Sequence, residues 1–178
     1  MEQKLFTISY TTYSDVSELE LADKFLCEQA EGALNTSYSP YSQFRVGASI
    51  KLDDGKIVTG SNQENVAYPS GLCAERVALF GIGAAKPNAV ILQMAITAQT
   101  SNFQINHPVT SCGACLQVMA EFEQKQKSEI EVLFYCIGGE VLKVKGIKNL
   151  YPSHSLKSGL ANKVSNSYIY STQSFFNE

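Results

Sequence analysis

Apolar side chains at Leu19, Ala22, Phe25, Leu26, Ala30 and Ala33 recur at helical spacing and predict an amphipathic helix over residues 19–34. It should stop before the turn-rich stretch Asn35-Thr36-Ser37-Tyr38-Ser39-Pro40, and Cys27 inside it should pack as a small hydrophobe. The pattern then changes period. Val46, Ala48, Ile50 and Leu52 alternate with Arg45, Gly47, Ser49 and Lys51, the mark of a strand with one buried face. Asp53-Asp54-Gly55 predicts a tight turn into a second strand through Ile57, Val58 and Thr59, so the pair should form an antiparallel hairpin.

Residues 73–85 are apolar almost all round (Val77, Ala78, Leu79, Phe80, Ile82), which predicts a helix covered on both sides. The nearly continuous apolar run over 90–98 reads as a central strand. Cys115, Val118, Met119 and Phe122 form the stripe of another helix, with Glu121, Gln124 and Lys125 on its far face. A further central strand is expected over 130–137, and Gly138-Gly139 separates it from one over 140–144. A diglycine link is a two-residue hairpin signal, and there is no room for a parallel crossover, so the last strand should run antiparallel to its neighbour. Beyond about residue 155 the chain is rich in Ser and Asn yet keeps Leu160, Val164, Tyr168, Ile169 and Phe175. That tail is expected to dock on the body or on a neighbouring subunit.

A chain of 178 residues is long enough to bury a real core and is most simply one domain. Its formal net charge of -3 provides no electrostatic footprint for nucleic acid or an anionic membrane surface, and suits a small neutral substrate better than a polyanion. Met1-Glu2-Gln3-Lys4-Leu5-Phe6 lacks the basic-then-apolar order of a signal peptide. No stretch is apolar for long enough to cross a bilayer. A reducing, cytoplasmic location is therefore the expectation. In such a compartment the odd number of cysteines, 5, argues for metal binding or catalysis over a disulfide framework.

The cysteines carry the chemistry. Cys73-Ala74-Glu75-Arg76 and Ser111-Cys112-Gly113-Ala114-Cys115-Leu116-Gln117 each lead straight into a predicted helix. Cys112 and Cys115, spaced i, i+3, can face one point from a first helical turn, while Cys73 starts the other helix. Helix N-termini lower thiol pKa and so favour the thiolates that bind metal. Three soft ligands suit zinc, and leaving a tetrahedral ion's fourth position for water marks a catalytic site rather than a structural one. Glu75, two residues after the first cysteine, is then placed to accept a proton from water and deliver it to a substrate nitrogen. Arg76 can offset the negative charge of three thiolates by donating hydrogen bonds to sulfur. The bland alternative is a structural zinc site or unconnected cysteines. The Cys-Ala-Glu motif and the lack of a fourth nearby ligand weigh against it. His107 and His154 are read as a loop residue and a surface or interface residue.

These motifs resemble the small, homotetrameric type of cytidine deaminase, a zinc-dependent family with a three-cysteine variant. The resemblance runs from about residue 18 to about residue 152, leaving a C-terminal extension. Besides the cysteine motifs it includes Ser39-Pro40-Tyr41-Ser42-Gln43-Phe44-Arg45-Val46-Gly47-Ala48 and Gly60-Ser61-Asn62-Gln63-Glu64-Asn65-Val66-Ala67-Tyr68. It implies a three-layer α/β/α fold with a mixed five-stranded sheet whose last two strands are antiparallel. Cys73, Cys112 and Cys115 would hold Zn²⁺, Glu75 would be catalytic and Arg76 would support the cysteines. Asn62 and Glu64 would hold the ribose hydroxyls, a fitting pair for a diol because it offers both donors and acceptors. Phe44 would pack on the pyrimidine, the Ala74 carbonyl would read the base edge, and Tyr68 would reach a neighbouring subunit's site. The implied function is hydrolysis of cytidine and 2′-deoxycytidine to the uridines plus ammonia, in pyrimidine salvage, by a homotetramer or dimer.

Three positions depart from the family's pattern. Ser111 replaces a usual proline, Leu116 replaces a usual arginine, and Ser155 follows Tyr151-Pro152 where an aromatic is usual. They keep two alternatives open: deamination of a modified nucleoside or nucleoside-like metabolite, and an inactive, zinc-stabilised paralogue. Neither cluster nor carboxylate is altered by them.

Overall fold

The computed structural model describes residues 7–151, and the C-terminal tail, with His154 and Ser155, lies outside them. The predicted first helix is α1 (Leu21–Ala33), which buries Leu26, Cys27, Ala30 and Ala33. Phe25, assigned to the same stripe, is instead about half exposed. The alternating segment is β2 (Phe44–Leu52), and the Asp-Asp-Gly turn returns the chain as β3 (Ile57–Ser61) in antiparallel register, with Ile50 opposite Val58. α2 (Ala74–Ala85), β4 (Ile91–Thr100), α3 (Gly113–Gln126), β5 (Glu131–Tyr135) and β6 (Val141–Lys145) follow in the expected order.

The sheet has six strands, where the sequence pattern gave five. The addition is β1 (Thr11–Tyr13), which pairs antiparallel with β6 and completes the order β1-β6-β5-β4-β2-β3. Its three residues are exposed or half-buried, so no apolar alternation announces it. β4 lies antiparallel to β2 but parallel to β5, the crossover between them being α3. The closing hairpin is antiparallel as expected. Its connection is wider than a two-residue diglycine turn, since β5 ends at Tyr135 and β6 begins at Val141. Gly138 supplies the positive φ of 71° that closes it.

Strand periodicity sorts the core into two layers. Met94, Ile96, Val132 and Phe134 face α2 and α3, whereas Ala95, Leu133 and Tyr135 face α1 with Leu26, Cys27 and Ala30. The result is the α/β/α sandwich that the resemblance implied. Hydroxyls inside it are satisfied: Ser49 donates to the Leu26 carbonyl at 2.6 Å and Thr97 to the Tyr135 carbonyl at 2.7 Å. α2 is not covered on both sides, because Phe80 on its outer face is 48% exposed. The sequence is apolar there for a reason other than burial against this sheet. With α2 and α3 on one face, their N-termini come together beside β4, and that convergence positions the chemistry.

Candidate active site

Cys73 and Cys112 are the N-cap residues of α2 and α3, and Cys115 sits in the first turn of α3. Neither N-cap cysteine uses its side chain to cap its own helix, which leaves the sulfurs free for another partner. The Cys73 and Cys112 sulfurs lie 4.0 Å apart, those of Cys112 and Cys115 3.5 Å apart, and all three within 4.8 Å of one another. Three sulfurs bound to zinc at about 2.3 Å on a tetrahedron would be about 3.8 Å apart. The donor set and its spacing therefore fit zinc. All five cysteines of the chain are free thiols.

Cys73 is the acidic member of the cluster. Its thiol is lowered to about 5, chiefly by the hydrogen bond it shares with Cys115 and then by the Arg76 guanidinium, against the opposing effect of burial. Cys115 is pushed upward by the same hydrogen bond and by burial. Arg76 donates from Nη2 to the Cys73 sulfur at 3.7 Å, the contact expected of it, while its buried Nε has no hydrogen-bond partner.

A cavity of about 670 Å³ opens beside the cluster, within the range that takes a nucleoside-sized ligand. Cys73, Cys112, Glu75 and Arg76 form one wall, and Asn62, Glu64 and Tyr68 another. Glu75, in the first turn of α2, is only 4% exposed, and its Oε1 accepts the Ser111 hydroxyl at 2.6 Å. A second cavity of similar size is lined by Ser37, Arg45, Gln99 and their neighbours, with no cysteine or carboxylate among them. It offers no comparable chemistry.

The proposed sugar contacts are tied down by their own loops. The Asn62 amide donates to the Phe44 carbonyl at 2.8 Å and accepts from the Val46 N–H at 2.8 Å and the Ser37 hydroxyl at 2.6 Å. One amide N–H remains to offer a ligand. Glu64 accepts from the Tyr41 and Ser42 backbone N–H groups at 2.9 and 3.2 Å and from the Ser42 hydroxyl at 2.5 Å. The Ser42 hydroxyl in particular holds its carboxyl below the ordinary glutamate range, so it stays an acceptor at neutral pH.

Two residues expected at the substrate are not among those lining this cavity. Phe44 is outside the cavity lining, its ring stacked on Phe103 with centroids 6.3 Å apart. Ala74 is fully buried, and its carbonyl faces Gly60 of β3, because helix carbonyls point toward the C-terminus and away from the first turn. Tyr68 is 76% exposed at the mouth, with an edge contact to Tyr41. His107 is a loop residue, paired with Glu140 at 3.3 Å. Val46, Ile96, Val109 and Thr110 complete the walls. The sequence offered no sign of them as a group, since they come from two strands and a loop.

The profile of the family described as "Cytidine and deoxycytidylate deaminase zinc-binding region" matches residues 21–128. Cytidine deaminase of Halalkalibacterium halodurans is 40% identical over 98 residues, covering 55% of this chain and 70% of the relative. That of Sporosarcina psychrophila is 40% identical over 102 residues, covering 54% and 67%. Among solved structures, cytidine deaminase from Burkholderia pseudomallei superposes with a TM-score of 0.65 at 35% identity, covering 74% of this chain and 97% of that one. The enzyme from Mycobacterium tuberculosis gives 0.59 at 26% identity, covering 77% and 100%. The matched stretch spans well over half of the sequence and takes in the three clustered cysteines, Glu75 and the helices that carry them. The chain belongs to the cytidine and deoxycytidylate deaminase family.

Proposed function

We propose that this protein hydrolyses cytidine and 2′-deoxycytidine to the corresponding uridines with release of ammonia, as one zinc-dependent deaminase domain. One observation carries the reading. A buried carboxylate, Glu75, shares a nucleoside-sized cavity with a three-sulfur cluster spaced for zinc. Cys73, Cys112 and Cys115 are the residues to hold the ion, which when bound supplies a Lewis acid that makes water nucleophilic near neutral pH.

Glu75 takes a proton from the water and passes it first to the pyrimidine ring nitrogen and then to the leaving amine. Water's oxygen ends on the ring carbon and the amine departs as ammonia, so the reaction needs no redox partner. The remaining Asn62 N–H and the ionised Glu64 are suited to the donors and acceptors of a sugar diol. Phe44, through its stack on Phe103, buttresses the loop that carries Tyr41 and Ser42. In this reading the exposed Tyr68 ring at the mouth is the contact offered to a second copy of the chain in a homotetramer or dimer. Free thiols suit a reducing cytoplasmic setting, and the nucleoside substrate proposed here suits pyrimidine salvage. No helix among the described residues is long and apolar enough to cross a membrane.

The test is ammonia release from cytidine, deoxycytidine and modified pyrimidine nucleosides, with zinc measured on the same sample. Turnover of the first two, abolished in Glu75→Gln while zinc is retained, is the expected result. Negligible turnover of both would reject the reading, and an unimpaired Glu75→Gln would reject the proton path.

A further inference from the structure

Ser111 stands directly before the N-cap of α3, on the segment that brings Cys112 and Cys115 to the cluster. Its half-buried hydroxyl reaches across to α2 and donates to Glu75 Oε1 at 2.6 Å. That length belongs to charge-assisted O–H···O⁻ bonds, which are about twice as strong as neutral ones. A proline, the usual residue here in the resemblance, has no hydroxyl to make this bond. The contact is a property of this chain's own serine.

From this geometry we infer that Ser111 is a positioning residue that pins Glu75 by Oε1 and leaves Oε2 as the oxygen that handles protons, which rests on the deaminase reading of the site. A carboxylate carrying a proton from water to a ring nitrogen and then to an amine must face each in turn. Oε1, hinged on Ser111, gives that motion a fixed pivot. The hydroxyl has one donor and two lone pairs, so it keeps a bond to Glu75 at each stage of the transfer. Burial strengthens the effect, because at 4% exposure Glu75 has little solvent to compete with the Ser111 bond. The bond also joins the starts of α2 and α3, so the proton carrier is held in register with the sulfur cluster.

The experiment compares Ser111→Ala and Ser111→Thr with the wild type. Loss of a hydrogen bond to a charged group should lower kcat of Ser111→Ala by about tenfold or more. KM for cytidine and zinc content should stay at wild-type values, because no substrate or sulfur contact is removed. Ser111→Thr restores the hydroxyl and should recover most of the loss. A merely structural role predicts otherwise: KM and zinc content would move with kcat, or threonine would do no better than alanine. Either result, or an unchanged kcat in Ser111→Ala, overturns the inference. The contact is read independently of turnover by infrared difference spectra of the Glu75 carboxyl band, assigned with Glu75→Gln. That band should shift in Ser111→Ala and return in Ser111→Thr, and an unmoved band overturns the contact. A wild-type protein with no nucleoside turnover would sink the deaminase reading, and the band then decides the contact alone.

Discussion

Gly60 of β3 is the point at which the sheet sets the height of α2, and Gly60→Ala tests that directly. A β-carbon built there lies 2.6 Å from the Ala74 carbonyl oxygen, 2.7 Å from the Ala78 nitrogen and 3.0 Å from the Ala78 β-carbon. The first two atoms are the acceptor and donor positions of an i to i−4 pair in α2, one residue beyond the Val77-to-Cys73 bond that opens the helix. Being backbone, they cannot swing aside as a flexible side chain would. Ordinary contact begins at 3.4 Å, so the helix must retreat by about 0.8 Å or the strand must bend. Forcing a methyl group into a packed site costs about 1–3 kcal/mol. For a chain of this size that corresponds to a melting temperature lower by about 2–12 °C. The retreat falls on the turn that carries Cys73 and Glu75, and misplacing a reacting group by about 1 Å can cost about 100-fold in rate. Thermal denaturation, bound zinc and cytidine turnover should therefore all decline together. Gly81→Ala is the matched control: it lies in the same helix with nothing within 4 Å of its added methyl. It should raise stability by about 0.5–1 kcal/mol through backbone entropy. A Gly60→Ala protein that melts like the wild type and keeps its zinc would show that this contact does not set the helix position.

Replacing Cys73, Cys112 or Cys115 singly by serine should cut zinc retained after dialysis to well below one ion per chain, whereas Cys27→Ser should leave zinc content unchanged; metal analysis checks both. Lys143 bridges Asp23 at 2.6 Å and Glu131 at 2.9 Å on the α1 side of the sheet. Asp23→Ala should cost about 2–3 kcal/mol, below the full loss for a broken buried pair because Glu131 remains, as read by urea titration. Burial pulls the Lys143 ammonium down, but the hydrogen bonds of Asp23 and Glu131 outweigh it and its pKa is raised above 10.5. A raised lysine stabilises the fold fully below its unfolded value, so this contribution holds at neutral pH and fades as pH rises beyond that value. Denaturation midpoints across alkaline pH should fall less steeply in Lys143→Met. Cytidine monophosphate should be turned over much less efficiently than cytidine in a steady-state comparison, since Arg76, already on Cys73, is the single Arg or Lys among the described residues that line the cavity.

The two periodicities carried most of the fold. β2, β4, β5 and the helices alternate or repeat because each buries a face, and burial is what a sequence pattern records. β1 escaped because its three residues bury almost nothing and are held by backbone pairing to β6, which any residues can make. The diglycine gave the hairpin's direction but not its width, since only Gly138 requires a positive φ. At the site, the cysteine cluster was legible because ligand spacing is a local constraint tied to helix starts. The Ser111–Glu75 bond was not, because it joins residues 36 apart through nothing but the approach of two helices. Phe44 and Ala74 show the converse limit. A motif places a residue near a site, while the direction of its ring is settled by a neighbour such as Phe103 and that of its carbonyl by the helix it opens.

Charge explains why all three sulfurs stand at helix starts and why the substrate should be neutral. Three thiolates around a doubly charged ion would leave one net negative charge, and a carboxylate at Glu75 beside them would add a second. Arg76, at 3.7 Å from the Cys73 sulfur, returns one positive charge. The N-termini of α2 and α3 contribute about half a positive charge each, directed at the same point. The local sum is then close to zero, which a half-buried site needs if its thiolates are to stay ionised. Leu116, packed in the core where the resemblance has an arginine, adds nothing to this balance. With one arginine and two helix ends committed to the cluster, the described residues that line the cavity leave no positive charge over for a phosphate. The same arithmetic, with Cys73 and Cys112 on the cavity face and Cys115 buried behind them, favours the uncharged nucleoside proposed above over its phosphate.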